Sequence, residues 1–318
     1  MNDTMISIEQ CDVLDKASLA SYRAKIAKWR RWLRTDVHHA LWPQIYSMLL
    51  EDLTFRTLAA AAEADKESAL HSPILARGLL QGYAAVQGLS VRRLVDMTKN
   101  VISLRRLLID IRSNRHLLTR ENYVSGEGLP FDPGGAMQEY MVAGGAGGFW
   151  APNTGNKAFL PSILAHGAFD QLAGLSAGSR KRADRIPGRL IDTLESWLKV
   201  KEINEVVDWS NMRVAHTADE AAHQGVDFAA LTPTMDKIAT AQKQIVRTAE
   251  AVSAYIVGGP IHGNLVPVFQ YNQFYRLEMA VRDPQAIRTA QQRWHELAKE
   301  RDQWTDGLLR DLIAEAVP

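Results

Sequence analysis

The chain is predicted to be all-α: an antiparallel helical bundle with a long Gly/Pro-rich loop excursion. Three observations predict this. Apolar residues recur at spacings of three and four over most of the length. No strand-like runs alternate with helices, and neither a fixed-period repeat nor a heptad array is present. Glycine and proline concentrate in one stretch, 125–179. The composition divides the chain into an N-terminal helical region (1–124), a Gly/Pro-rich excursion with short helices (125–186) and a C-terminal helical region (187–318).

The first element is an amphipathic helix over Ala17 to Leu33. Tyr22, Ile26, Trp29 and Leu33 share its apolar face, and Arg23, Lys25, Lys28, Arg30, Arg31 and Arg34 decorate the rest. Leu41 to Ala64 repeats the spacing through Trp42, Ile45, Met48, Leu49, Leu53, Phe55 and Leu58, with Pro43 in its first turn. Pro73 opens a third helix, which Gly88 is expected to break. Ser90 then caps a fourth, carrying Val91, Leu94, Leu104, Leu107, Leu108 and Ile111 on one side. The other side bears Arg92, Arg93, Lys99, Arg105, Arg106, Arg112 and Arg115.

Within the excursion, aromatic residues such as Phe131, Tyr140, Phe149, Trp150, Phe159 and Phe169 argue for packing rather than a plain linker. Short helices are expected near Ala136 to Val142 and Pro161 to Leu172. The run Gly144-Gly145-Ala146-Gly147-Gly148 lacks the Lys-Ser/Thr ending of a phosphate-binding P-loop, and a hinge is the better reading. A basic segment follows at Arg180, Lys181, Arg182, Arg185 and Arg189. Pro187 then starts a helix that is expected to run through Leu190, Trp197, Ile203 and Val207 to His216. Thr232-Pro233 is read as an N-cap with proline at the first helical position, opening a helix that reaches Val257 and stops at Gly258-Gly259-Pro260. Asn264 to Tyr271 is the best strand candidate, weakened by Pro267. Asp283-Pro284 opens a final helix through Trp294, Trp304 and Ile313.

Composition excludes several classes. The formal net charge is +1, so no global field argues for nucleic acid or membrane, and any such partner must rest on local clusters. The single cysteine, Cys11, excludes an intramolecular disulfide and a multi-cysteine zinc site, which suits a reducing, cytoplasmic compartment. Met1 to Gln10 does not read as a signal peptide, and no stretch is long and apolar enough to span a bilayer. No HExxH motif or carboxylate–histidine helix pair is present, and the adjacent His38 and His39 point about 100° apart on a helix. No metal and no cofactor is therefore expected. The G-x-S-x-G elbow of a serine hydrolase is absent as well.

One constellation remains, in the stretch Asp208-Trp209-Ser210-Asn211-Met212-Arg213-Val214-Ala215-His216. Arg213 and His216 are three residues apart and lie close together on a helix, with Asn211 beside them. The functional reading makes Arg213 a phosphate clamp and His216 a proton shuttle. The structural reading makes both favourable charges at a helix C-terminus.

The string Asn211-Met212-Arg213-Val214-Ala215-His216 closes one long helix and precedes a polar loop and a second long helix, and it resembles HEPN-like all-α proteins of the abortive-infection class. Arg31-Trp32-Leu33-Arg34-Thr35-Asp36, Ser103-Leu104-Arg105-Arg106-Leu107-Leu108 and Leu118-Thr119-Arg120-Glu121-Asn122-Tyr123-Val124 are similar too. The resemblance implies an antiparallel bundle, homodimerisation and metal-independent RNA cleavage in phage defence or a toxin system. The family's catalytic pattern, an Arg followed by a His four to six residues on, transfers to His216. The corresponding Arg positions hold Trp209, Ser210 and Asn211, and Arg213 lies nearer. The expected catalytic set is therefore His216, Arg213 and Asn211. The alternative is a non-catalytic scaffold or partner-binding subunit in which the same residues are structural.

Overall fold

A computed structural model describes residues 6–143, 158–212, 232–267, 270 and 272–316. These residues are all-α. They form twelve α-helices, and their only extended pairing is an isolated bridge between Thr119 and Arg185. The helices are α1 (Lys16–Arg30), α2 (Leu41–Ala64), α3 (Pro73–Leu94), α4 (Leu104–Ser113), α5 (Arg120–Ser125), α6 (Pro133–Ala143), α7 (Phe159–Ala173), α8 (Gly188–Trp197), α9 (Lys201–Ser210), α10 (Met235–Ala251), α11 (Pro284–Asp302) and α12 (Leu308–Ala316). Two five-residue π-turns extend α1 and α10, at Arg31–Thr35 and Val252–Ile256.

The chain divides into two compact units, each discontinuous in sequence. One comprises 1–30, 108–193 and 310–318; the other comprises 31–107 and 194–309. In the first, α1 buries Leu19, Tyr22, Ile26 and Trp29 at helical spacing. Trp29 Nε1 donates to Asp110 Oδ2 at 2.7 Å, which satisfies the one polar atom of a fully buried indole. Thr119 caps α5 by accepting from the Asn122 N–H. The next residue, Arg120, is wholly buried; it meets Asp170 at 2.7 Å and Asp184 at 3.0 Å and lies over the Phe169 ring.

In the second unit α2 packs on α3 and α11, α3 on α9, and α9 on α10. Its polar hub is Asp52. The buried carboxylate accepts from Tyr83 Oη at 2.7 Å, Arg56 Nε at 2.9 Å and Arg301 Nη2 at 2.7 Å. A buried charge is tolerated only when paired and hydrogen-bonded in this way.

Several local expectations are corrected. Gly88 does not break a helix: α3 continues through it to Leu94, which leaves Ser90 inside the helix rather than at a cap. A Cβ at Gly88 would stand 2.8 Å from the Trp209 ring, so the glycine admits α9 at close range. The break comes at 95–103, where Asn100 takes a positive φ of 67°. The single helix expected from Pro187 is interrupted at 198–200, where Arg105 Nη2 takes the freed Leu198 carbonyl at 2.6 Å. The cap of α10 is Thr234, not Thr232; its hydroxyl accepts from the Lys237 N–H and its backbone is extended. Of the expected strand over Asn264 to Tyr271, residues 264–267 and 270 form none, and 268, 269 and 271 lie outside the described residues. The last helix is split by Gly307, at φ 65°. The two short helices expected in the excursion are α6 and α7, while 144–157, with the Gly144 to Gly148 run, lie outside the described residues.

Candidate functional site

Of the three expected catalytic residues, the structure describes Asn211 alone. It caps the C-terminus of α9 in a helical conformation, its N–H bonded to the Val207 and Asp208 carbonyls. Arg213 and His216 lie outside the described residues. Part of the basic segment after residue 179 is neutralised within its own unit. Arg180 pairs with Asp170, and Arg182 pairs with Asp12 and Glu121 at 2.8 Å while covering the Phe131 ring. His38 and His39 are exposed, and both of their N–H groups are held by Asp36 Oδ1. Among the described residues no cluster of His, Cys, Asp and Glu could hold a metal ion, and no helix is long and apolar enough to cross a membrane.

The described residue set with the strongest chemistry lies elsewhere, at the C-terminal end of α10. Val246, Glu250 and Ser253 continue one buried stripe at helical spacing. A carboxylate on such a stripe requires partners, and the loop that follows supplies them. The π-turn ends at Ile256, and Gly258, two residues on, turns the chain back with a φ of 71°. The Gly259 N–H then donates to the Ser253 carbonyl at 2.8 Å. Four residues after the turn, His262 meets Glu250 twice. Its backbone N–H reaches Oε1 at 2.7 Å and its imidazole Nδ1 reaches Oε2 at 2.6 Å.

The burial of the two partners differs in a useful way. The Glu250 side chain is 1% exposed and the His262 side chain 17%. The carboxylate is an acceptor, so Nδ1 donates to it, and in the neutral imidazole this leaves the lone pair on Nε2. Nε2 makes no hydrogen bond among the described residues. The arrangement is an imidazole whose orientation, and whose tautomer when neutral, are fixed by a buried carboxylate.

Two other helices complete the surroundings. Trp42 of α2 packs against the imidazole, centroids 3.9 Å apart and planes tilted by 37°, and Tyr46, one turn on, makes an edge contact with it at 6.0 Å. The Trp42 Nε1–H is buried without a hydrogen-bond partner among the described residues. Arg34, in the first π-turn, donates from Nη2 to Ser253 Oγ at 2.8 Å and to the Pro260 carbonyl at 2.9 Å. Any Cβ at Gly259 would stand 2.9 Å from that nitrogen, so the glycine is what lets the guanidinium lie under the loop. Both phenols nearby are held protonated. Burial and the Glu250 charge push the Tyr46 hydroxyl pKa up against the opposing pull of Arg34, and burial and Glu250 do the same at Tyr255.

The site therefore offers a base, a fixed cation and a phenolic donor within one unit. A sequence signal for it exists: a Glu on the buried stripe of a long helix, followed at once by Gly-Gly-Pro-Ile-His-Gly. Comparison of the chain with protein-family models, with curated proteins and with solved structures finds no match.

Proposed function

We propose that this protein cleaves RNA by general acid–base chemistry, with His262 as the base. The observation that carries the reading is the Nδ1–Oε2 contact of 2.6 Å to a buried carboxylate, which leaves Nε2 as a proton acceptor. His262 takes the proton of a ribose 2′-hydroxyl as that oxygen attacks phosphorus. The bond to the 5′-oxygen breaks, that oxygen takes a proton from water, and a 2′,3′-cyclic phosphate is left. Arg34 supplies positive charge for the phosphorane-like transition state, and Glu250 is a positioning residue that stabilises the imidazolium. This is the RNA-directed role in phage defence or a toxin system that the HEPN-like strings imply. It places the base at His262, where the resemblance implies His216.

The test is cleavage of ribo- and 2′-deoxy-substituted oligonucleotides by purified variants. His262→Ala is expected to lower kcat by about 10²–10⁴-fold with the fold intact, and the deoxy substrate is expected to resist. His216→Ala should then cleave normally. The reverse pattern moves the base to His216, and a wild-type protein inert toward RNA ends the reading altogether.

A second reading, a partner-binding subunit, is favoured by the first half of α3. Ile74, Leu75, Leu79 and Leu80 are all exposed there, Ile74 at 80%. Such an apolar face marks an interaction surface, and the partner proposed for it is a second copy of the chain. Light scattering should give a dimer that Ile74→Glu with Leu80→Glu dissociates. A wild-type monomer would refute the second reading and the homodimerisation that the resemblance implies, while RNA cleavage by His262 is tested separately.

A further inference from the structure

A cleft of about 350 Å³ lies between the middle of α2, the turn before α11 and Trp294. Its outer wall is the segment Phe274-Tyr275-Arg276-Leu277. Phe274 and Leu277 pack on the small-residue cluster of Ala61, Val281, Ala286 and Ala290. Anchoring both ends of the segment leaves the two residues between them exposed, on the lining of the cleft. Tyr275 is 73% exposed, and Arg276 extends its guanidinium over the phenol ring, 5.3 Å from the centroid. Arg276 has no carboxylate partner among the described residues.

The backbone at Arg276 is left-handed, φ 66° and ψ 7°. A non-glycine residue holds that conformation only where its surroundings dictate it, and such strain gathers at ligand clamps. Here the turn hydrogen bonds from Tyr275 N to Asn272 O and from Leu277 N to Phe274 O, both 3.0 Å, enforce it. The inner wall carries a second unspent group. Thr57 is 2% exposed, lines the cleft, and its hydroxyl has no hydrogen-bond partner among the described residues. A threonine inside a helix ordinarily bonds the carbonyl four residues back, as Thr54 does to Leu50.

An exposed ring, an uncompensated guanidinium over one of its faces and an unpartnered hydroxyl in the wall of a cleft of this size match a flat, hydrogen-bonding ring that carries an anion. We infer that this cleft binds a nucleoside monophosphate unit, its base stacked on Tyr275 and its phosphate held by Arg276. The inference is independent of His262, because its readout is binding and not cleavage.

Isothermal titration calorimetry on the full chain tests it, with AMP, UMP, adenosine and inorganic phosphate as probes. AMP or UMP is expected to bind, with adenosine and phosphate each weaker by about tenfold or more. Tyr275→Ala and Arg276→Gly should each weaken the nucleotide by a similar factor. Glycine adopts the left-handed conformation without strain, so the second variant removes the guanidinium and keeps the turn. Three outcomes overturn the proposal: no nucleotide binding at millimolar concentration, phosphate alone binding as tightly as AMP, or nucleotide affinity unchanged in both variants.

Discussion

Three glycines of α3 make a controlled experiment on how the helix is packed. Gly78, Gly82 and Gly88 all lie inside the helix, so replacing each by alanine brings the same intrinsic gain of about 0.5–1 kcal/mol. Their surroundings differ. A Cβ at Gly78 or Gly82 meets nothing within 4 Å, and both variants are expected to be more stable by that full amount. A Cβ at Gly88 would stand 2.8 and 3.1 Å from two atoms of the Trp209 ring and 3.2 Å from Ser210 Cβ. Trp209 and Ser210 are themselves buried, so neither can swing aside into solvent. Overpacking of this kind costs about 1–3 kcal/mol, which outweighs the helical gain. Gly88→Ala should therefore be less stable than wild type by up to about 2 kcal/mol. Equilibrium urea unfolding followed by tryptophan fluorescence measures all three. If Gly88→Ala is stabilised as much as Gly82→Ala, α3 and α9 do not meet at Gly88, and the explanation for the unbroken helix fails with it.

Other consequences are as direct. Asp52→Ala removes the common partner of Arg56, Arg301 and Tyr83 and leaves the buried Arg301 with only the exposed Glu300 carboxylate, at a cost of about 3–5 kcal/mol; a loss below about 1 kcal/mol in urea unfolding would show that the hub is not a buried ion cluster. Acid should weaken the first unit through Asp110. Partial burial opposes ionisation there, but hydrogen bonds from Trp29 and Lys25 and the charge of Lys28 outweigh it and hold the carboxyl below its ordinary 3.8. A depressed carboxyl contributes stability above the unfolded pKa and loses it as pH falls through the native one. Wild type should therefore lose its advantage over Asp110→Asn below about pH 4, when thermal stability is followed down in pH. An advantage unchanged at pH 2 would contradict the assignment.

What the sequence disclosed follows from what periodicity measures. The bounds of α2 are those expected from its apolar spacing, and Asp283-Pro284 marks the start of α11 because a side-chain cap and a fixed φ act within two residues. Gly88 shows the opposite case. The same residue type signals a helix stop or a close approach, and only the position of Trp209, far along the chain, decides between them. Asp52 and Arg301 are 249 positions apart, and nothing in either local pattern names the other. The grouping of segments into compact units is likewise a matter of long-range contact, which composition along the chain does not record.

The candidate site was hidden for a related reason. It lies where helices depart from their own period. The π-turns at Arg31–Thr35 and Val252–Ile256 each hold a residue that bonds the other, Arg34 to Ser253. An i→i+5 turn inserts one residue into the register and so rotates everything after it by about 100° relative to a regular helix. The apolar stripe read along α10 and past Ala251 assumed no such insertion. Glu250 lies just before that insertion, between the buried Ala249 and Ala251. A carboxylate in that position would be costly unless something returned to meet it. The Gly258 turn, the glycine that clears Arg34 and the backbone N–H of His262 together provide that return. The imidazole is thus tied at two points to a buried group, and one nitrogen remains for chemistry. A helix that merely ended at Ile256 would need none of these features.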